Sequence, residues 1–363
     1  MAFVPFDFKR TIPDHSWRGI LIVVVGLTAA ATVAWELYAR AASYRPTLND
    51  TSDLWAQERE RVKPDSIVII GDSRALFDMD LDLLEQGLGS RPVQLSLVGS
   101  CAYPILADLA ADEKFRGTVI CGIVPRMFFA PGGPLVEASE KALKRYRSWT
   151  PAQRVSHQLG MLAEERIAFL KERDLTLAKL LERLPIPNRA ALPPQRIPPP
   201  YFQTTERDRR TRMVEECAQA GPLQTRVKEG WPLLFTPPPP PGYVPKDKFL
   251  EGMGKAIEAR FGDTAAAVEK IRARGGKVVF VRFPMTGALK ELEDKATPRA
   301  GPWTRLLKDT GAPGIYFEDY PELAGFDCPE WSHLSGPDSV EFTRRLVPYL
   351  KTALAGKGKE SEK

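Results

Sequence analysis

The pattern of apolar and polar positions changes period repeatedly along this chain, and each change predicts an element. From Gly19 to Trp35 the residues read GILIVVVGLTAAATVAW, seventeen positions without a charge. At about 1.5 Å per residue, a helix of that length covers roughly 26 Å, close to a bilayer core once flanking side chains snorkel. Trp17 and Arg18 stand at one end, and Trp35, Tyr38 and Arg40 at the other, where aromatic and basic anchors belong. The polar stripe of an amphipathic core helix is missing. Lys9, Arg10 and Arg18 precede the run, against Arg40 and Arg45 after it, a bias toward a cytoplasmic N-terminus. Ala39-Arg40-Ala41 has the small-x-small form of a signal cleavage site, but the run is longer than most signal h-regions, which favours an uncleaved anchor. The expected layout is a cytoplasmic segment 1–18, a transmembrane anchor 19–38 in the inner membrane, and the remainder outside the cytoplasm.

Residues 39–64 are polar, contain Pro46 and Pro64, and read as a juxtamembrane spacer. Beyond them the period shortens. SIVIIGDSR (66–74), VQLSLVG (93–99) and TVICGIV (118–124) are short β-branched runs of the kind buried on both faces of a parallel sheet. Helical stretches follow Asp80 (Leu81, Leu83, Leu84) and Pro104 (PILADLAADEKF). After a break, a helix over 249–274 carries Ile257, Ala265, Val268 and Ile271 on one face and stops at Gly275-Gly276. KVVFVRF (277–283), a helix around 303–309 and GIYFEDY (314–320) come next. Ser335 and Asp338 form an S-x-x-D capping box that opens a final helix with Val340, Phe342, Leu346, Leu350 and Leu354. Alternation of this kind implies right-handed crossovers and a doubly wound α/β sheet of about five parallel strands, split into 65–129 and 248–355. Between them, 130–247 reads as one insertion, helical over 138–184 and Pro-rich over 184–200 and 236–245, a lid, spacer or docking surface. Residues 356–363 are a charged tail.

Composition changes the picture only at its margins. The 363 residues are 43% hydrophobic and 27% charged, which excludes a disordered or collagen-like chain. A formal net charge of +5 without a basic tail is no argument for nucleic acid. Of the 33 prolines, 18 fall in the insertion. Cys101, Cys121, Cys217 and Cys328 are too dispersed for a metal knot; they fit either redox compartment, with up to two disulfides in an oxidising one. No metal or cofactor is implied. A flavin or nucleotide binder would need a phosphate-cradling Gly-rich loop or a Walker lysine, and neither is present.

Candidate chemistry sits at two distant points. Ser73 follows Gly71-Asp72 at the carboxyl end of the first strand, the edge where open α/β sheets bind ligands. His333, in Glu330-Trp331-Ser332-His333-Leu334, directly precedes the last helix. His15 precedes the membrane segment and His157 lies in the insertion, which leaves His333 as the base the α/β core can offer. A serine needs such a base within reach, and the base needs an acceptor that fixes its tautomer, here Glu330.

With GDS near the start, Gly99 after the second strand (SLVGS) and acidic-x-x-His before the last helix, the chain resembles the SGNH/GDSL hydrolase superfamily over 66–124 and 277–355. The resemblance implies a flavodoxin-like fold, Ser73 as nucleophile, His333 as base, Glu330 in the place of the family's Asp, and an oxyanion hole from the N–H groups of Ser73 and Gly99. The family's third block carries an Asn; here the segment is Gly122-Ile123-Val124-Pro125-Arg126. Arg126 or Arg74 is the candidate substitute, with Asp72 as further support. Anchored SGNH domains lacking that Asn are similar to proteins of bacterial cell-surface polysaccharide O-acetylation, which act outside the cytoplasm beside a multi-span acyltransferase. The resemblance thus implies an acyl-transfer enzyme or esterase partnered with the bilayer, a polysaccharide and such an acyltransferase; a degenerate glycan-binding or assembly domain is the alternative.

Overall fold

The computed structural model describes residues 16–171, 174–182, 201–235 and 243–356. Lys9, Arg10, His15, most of both Pro-rich tracts and the charged tail lie outside the described residues. Helix α1 (Trp17–Ala41) begins at Ser16, whose hydroxyl accepts the Gly19 N–H, and is the one described helix long and apolar enough to cross a membrane. Its apolar side chains are exposed until Ala39, which is fully buried.

Helix α2 (Ser52–Glu60), capped by Thr51, occupies what reads as spacer in the sequence. Leu54, Trp55 and Ala56 are buried, and the Trp55 indole donates to the Leu95 carbonyl at 2.9 Å. Glu58 and Arg59 are buried too, Arg59 against Asp108, so charged residues line a packed surface and hide the element in the pattern.

The α/β unit then runs β1 (Ile67–Ile70), α3 (Ser73–Phe77), α4 (Leu81–Leu88), β2 (Val93–Gln94), α5 (Tyr103–Ala111), β3 (Thr118–Gly122) and α6 (Pro125–Phe128). The intervening segment forms α7 (Pro134–Arg147), α8 (Pro151–Glu164), α9 (Leu177–Glu182), a hairpin of β4 (Gln203–Thr205) and β5 (Thr211–Met213), α10 (Glu215–Ala218) and α11 (Pro222–Phe235). The α/β rhythm resumes with α12 (Lys246–Ala273), β6 (Lys277–Arg282), α13 (Gly287–Ala296), α14 (Pro302–Thr310), β7 (Gly314–Tyr316), α15 (Pro321–Ala324) and α16 (Gly336–Leu354).

Five strands make one parallel sheet in the order β2-β1-β3-β6-β7, with Val68 beside Val93, Ile69 beside Ile120, Ile120 beside Val279 and Val281 beside Ile315. The order reverses at β1, which makes the carboxyl end of β1 the switch point where ligands of open α/β sheets sit. Helices α4 and α16 pack together, and α12 packs on α5 and α14. Two expected strands are shorter than their apolar runs. After Gln94 the chain still donates from Leu95 and Leu97 to the Ile69 and Gly71 carbonyls (2.8 and 3.0 Å), then turns at Gly99, whose φ of +61° suits glycine. After Tyr316 the acidic residues of 317–319 take up a 3-10 turn.

The capping box at α16 is half formed. Ser335 Oγ accepts the Asp338 N–H at 3.2 Å, while the Asp338 carboxylate takes the Ser335 hydroxyl proton instead of a backbone N–H. All four cysteines are buried free thiols, so neither of the possible disulfides forms. Three-residue strands are too short to show alternation, which is why the β4–β5 hairpin escapes the sequence pattern. It is stapled to the sheet by Arg209, fully buried, which forks onto Asp50 and donates to the Gln94 and Ser96 carbonyls.

Candidate active site

The loop leaving β1 is tight because Gly71 and Gly122 are glycines. A Cβ at Gly71 would lie 2.5 Å from Ala75 Cβ, and one at Gly122 would lie 2.6 Å from the same atom. Helix α3 can therefore start directly over β3. Asp72 caps it, its carboxylate accepting the Arg74 N–H at 3.1 Å, and Ser73 is its first residue.

The loop before α16 supplies the other half. The Glu330 carboxylate lies 2.8 Å from His333 Nδ1 through Oε1 and accepts the backbone N–H groups of Ser332 and His333. Its other oxygen accepts the Trp231 indole N–H at 2.7 Å. Glu330 can only accept from the ring, which assigns the proton to Nδ1 and leaves Nε2 as an acceptor. That Nε2 is buried and has no hydrogen-bond partner among the described residues.

Two contacts bring Ser73 and His333 together across some 260 residues of sequence. Arg74, next to Ser73, donates through Nε to Ser332 Oγ, next to His333, at 3.3 Å. Phe77 lies one helical turn from Ser73, on the same face of α3, and its ring centroid is 4.5 Å from that of His333. Ser73 itself makes no hydrogen bond to the imidazole. Gly99 enters from a third loop, two residues beyond the Leu97 N–H that binds the Gly71 carbonyl.

Beneath these residues is a buried ionic network. The Arg74 guanidinium pairs with both oxygens of Glu293, and Arg282 donates to Glu293 Oε2 at 2.6 Å and to the Ile123 carbonyl at 3.0 Å. Burial alone would raise Glu293, but the two guanidiniums hold its carboxyl at about 2. Arg74 is therefore committed to the core, whereas Arg126 on α6 lies 5.8 Å from the Phe235 ring centroid beside the site. Burial raises the Asp72 carboxyl, with Arg74 and His333 opposing. It raises Asp78 far more: Oδ1 accepts the Leu334 N–H at 2.9 Å, and Oδ2 is buried without a partner. The Cys217 and Cys328 thiols are pushed up by burial and by Glu330 nearby, Cys217 to about 12, which keeps both protonated.

The roof comes from the intervening segment. Phe202, Met213, Cys217, Val227, Trp231 and Phe235 pack with Leu76, Phe77, Val124 and Leu289 in an apolar cluster separate from the main core. Phe202 and Trp231 each lie 5.7 Å from the His333 ring centroid. Ser73 is 7% exposed and His333 1%. Sequence reasoning missed Phe202, Trp231, Glu293, Arg282 and Asp78; the available signal was the apolar WPLLF run (231–235) in an otherwise polar segment. Among the described residues, no group of three or more His, Cys, Asp or Glu is placed to hold a metal ion. No protein-family model matches the chain, and neither a curated protein nor a solved structure matches it significantly.

Proposed function

We propose that this chain is a membrane-anchored, extracytoplasmic serine acyl-transfer enzyme of SGNH type, acting on O-acyl groups of a cell-surface polysaccharide. The observation that carries the reading is the convergence of Ser73, His333 and Glu330 at the switch point, with Nδ1 bound to the carboxylate and Nε2 left open. Strand order supports it as well, since the sheet strands follow the flavodoxin-like order. Ser73 Oγ attacks the ester carbonyl and passes its proton to His333 Nε2, while Glu330 steadies the imidazolium. The N–H groups of Ser73 and Gly99 receive the oxyanion, with Arg126, on α6 beside the Phe235 ring, as the candidate for the missing donor. His333 returns the proton to the leaving alcohol, and a sugar hydroxyl or water then resolves the acyl-Ser73. Substrate enters when Phe202 and Trp231 move aside. Helix α1 anchors the domain in the inner membrane, where a multi-span acyltransferase supplies the acyl group.

A second reading, a catalytically silent SGNH domain that binds glycan or holds an assembly together, draws on one observation: the imidazole is enclosed by three aromatic rings, with no hydrogen bond to Ser73. Treatment of the detergent-solubilised full chain with a fluorophosphonate probe, read by intact mass, separates the two. One adduct on wild type, absent from Ser73→Ala and His333→Ala, is the expected result. A folded wild type without adduct favours the silent domain.

A further inference from the structure

The last two turns of α1 do not stand clear of the domain. Glu36 accepts the backbone N–H groups of Ala168 and Phe169 at 2.9 and 3.2 Å, and Arg40 donates to the Arg166 carbonyl at 3.3 Å. Ala39 packs on Ala168 and Leu175, with Tyr44 and Phe169 alongside. Glu36, Ala39 and Arg40 lie on one helix face, so residues 166–169 together with Leu175 form a pad against the exit of the apolar helix. Helix α8 ends just before the pad, and α9 begins just after it.

Both flanking helices present apolar side chains to the outside. On α8, Val155, Leu159 and Leu162 are exposed at positions i, i+4 and i+7. The other side of α8 is occupied: Met161 packs with Leu48 and Leu54, Arg154 pairs with Glu60, and Gln158 bonds Gln57 of α2. On α9, Leu177 and Leu181 are 72% and 53% exposed. Outside α1, seven large apolar side chains are exposed among the described residues, and five of them are these. Scattered surface leucines are ordinary; concentration of this kind at the foot of a membrane helix is not.

We infer that α8 and α9 form a collar that rests on the phospholipid bilayer around the exit of α1, their Val and Leu side chains set into the boundary between headgroups and acyl chains. The inference rests on the reading of α1 as a membrane span. Arg166, exposed between the two helices, sits at the level of lipid phosphates. The collar fixes the height and tilt of the domain, because α8 is packed on α2 and Trp55 of α2 bonds the chain leaving β2.

Spin labels on the full chain in nanodiscs of phosphatidylcholine and phosphatidylglycerol test this. The native cysteines are buried, so single introduced cysteines can be labelled: Leu159→Cys and Leu181→Cys on the collar, Val24→Cys in α1, and Leu250→Cys as an exposed apolar site on α12. Collisions with oxygen and with a water-soluble nickel chelate report the surroundings. Expected is an oxygen-to-nickel ratio at 159 and 181 several-fold above that at 250 and on the side of Val24. Ratios at 159 and 181 equal to that at 250, with Val24 in lipid, overturn the collar and leave the anchor standing. Shielding of 159 and 181 from both reagents means a protein surface covers them and overturns it too. A water-exposed Val24 overturns the anchor reading itself, and the collar with it.

Discussion

Two buried polar networks meet at the start of α3, and they differ in what they leave open. In the Arg74–Glu293–Arg282 network each group named has a partner, and a carboxylate lies between two guanidiniums. In the His333–Glu330 pair the carboxylate is likewise surrounded by donors, but His333 Nε2, in a ring packed against the apolar roof, has no partner among the described residues. A closed network holds a backbone in place and needs nothing more to explain it. An open acceptor in a buried site is costly to folding unless something uses it. The first network positions the Ser73 turn; the second, on the function proposed above, takes the Ser73 proton.

The largest expected effect falls on the closed network. Glu293→Ala strands two buried guanidiniums and is expected to cost about 3–5 kcal/mol, on the order of ten degrees in thermal unfolding. The sign of its pH dependence is fixed by the lowered carboxyl: the stabilisation is present above 4.5 and lost as pH falls through about 2. Calorimetry of wild type and Glu293→Gln should show the gap between them closing below pH 4.5. Next in size is Trp231→Phe, which removes one donor from Glu330 and leaves a buried carboxylate oxygen short of a partner, at about 1–3 kcal/mol. Fluorophosphonate labelling should slow in this variant, whereas Val227→Ala in the same roof, with no polar contact to Glu330, should lose stability and keep a higher labelling rate.

The smallest effect concerns Asp78, whose carboxyl is raised by burial. A raised acid gives up stability as pH climbs above its ordinary value of 3.8, because ionising it in the fold is penalised. Asp78→Asn keeps the acceptor for the Leu334 N–H and cannot ionise. Its unfolding temperature is expected to gain on that of wild type as pH rises above 3.8. A gap independent of pH would mean that Asp78 is ionised in place.

Much of this geometry is legible in the sequence, for a physical reason. Ser73 and His333 each sit at the junction of strongly patterned elements, where a buried strand or an amphipathic helix ends abruptly, and Glu330 lies within one turn of the histidine. The five-stranded parallel sheet follows from β-branched runs, and α1 from its uncharged length. What stayed hidden depends on contacts between segments without a period. Trp231 lies in a helix that runs on through Pro232, against what a proline signals in a sequence, Phe202 borders a strand of three residues, and Glu293 looks like any charge on an exposed helix until Arg74 and Arg282 are folded against it. Helix α2 was masked in the same way, by charged residues that turn out to be buried.

The most direct test of the open base is the rate of Ser73 phosphonylation in Glu330→Gln. The amide is isosteric, but Oε1 takes Nδ1 and both backbone N–H groups while Oε2 takes the Trp231 indole, so its NH2 meets a donor in either orientation: at the Oε1 position it favours the wrong imidazole tautomer, and at the Oε2 position it loses Trp231. Labelling is expected to fall by about four orders of magnitude, as for loss of a triad carboxylate, in a variant that still unfolds cooperatively. Labelling at the wild-type rate in the folded variant would contradict it, and would leave Glu330 as a structural partner of the loop alone.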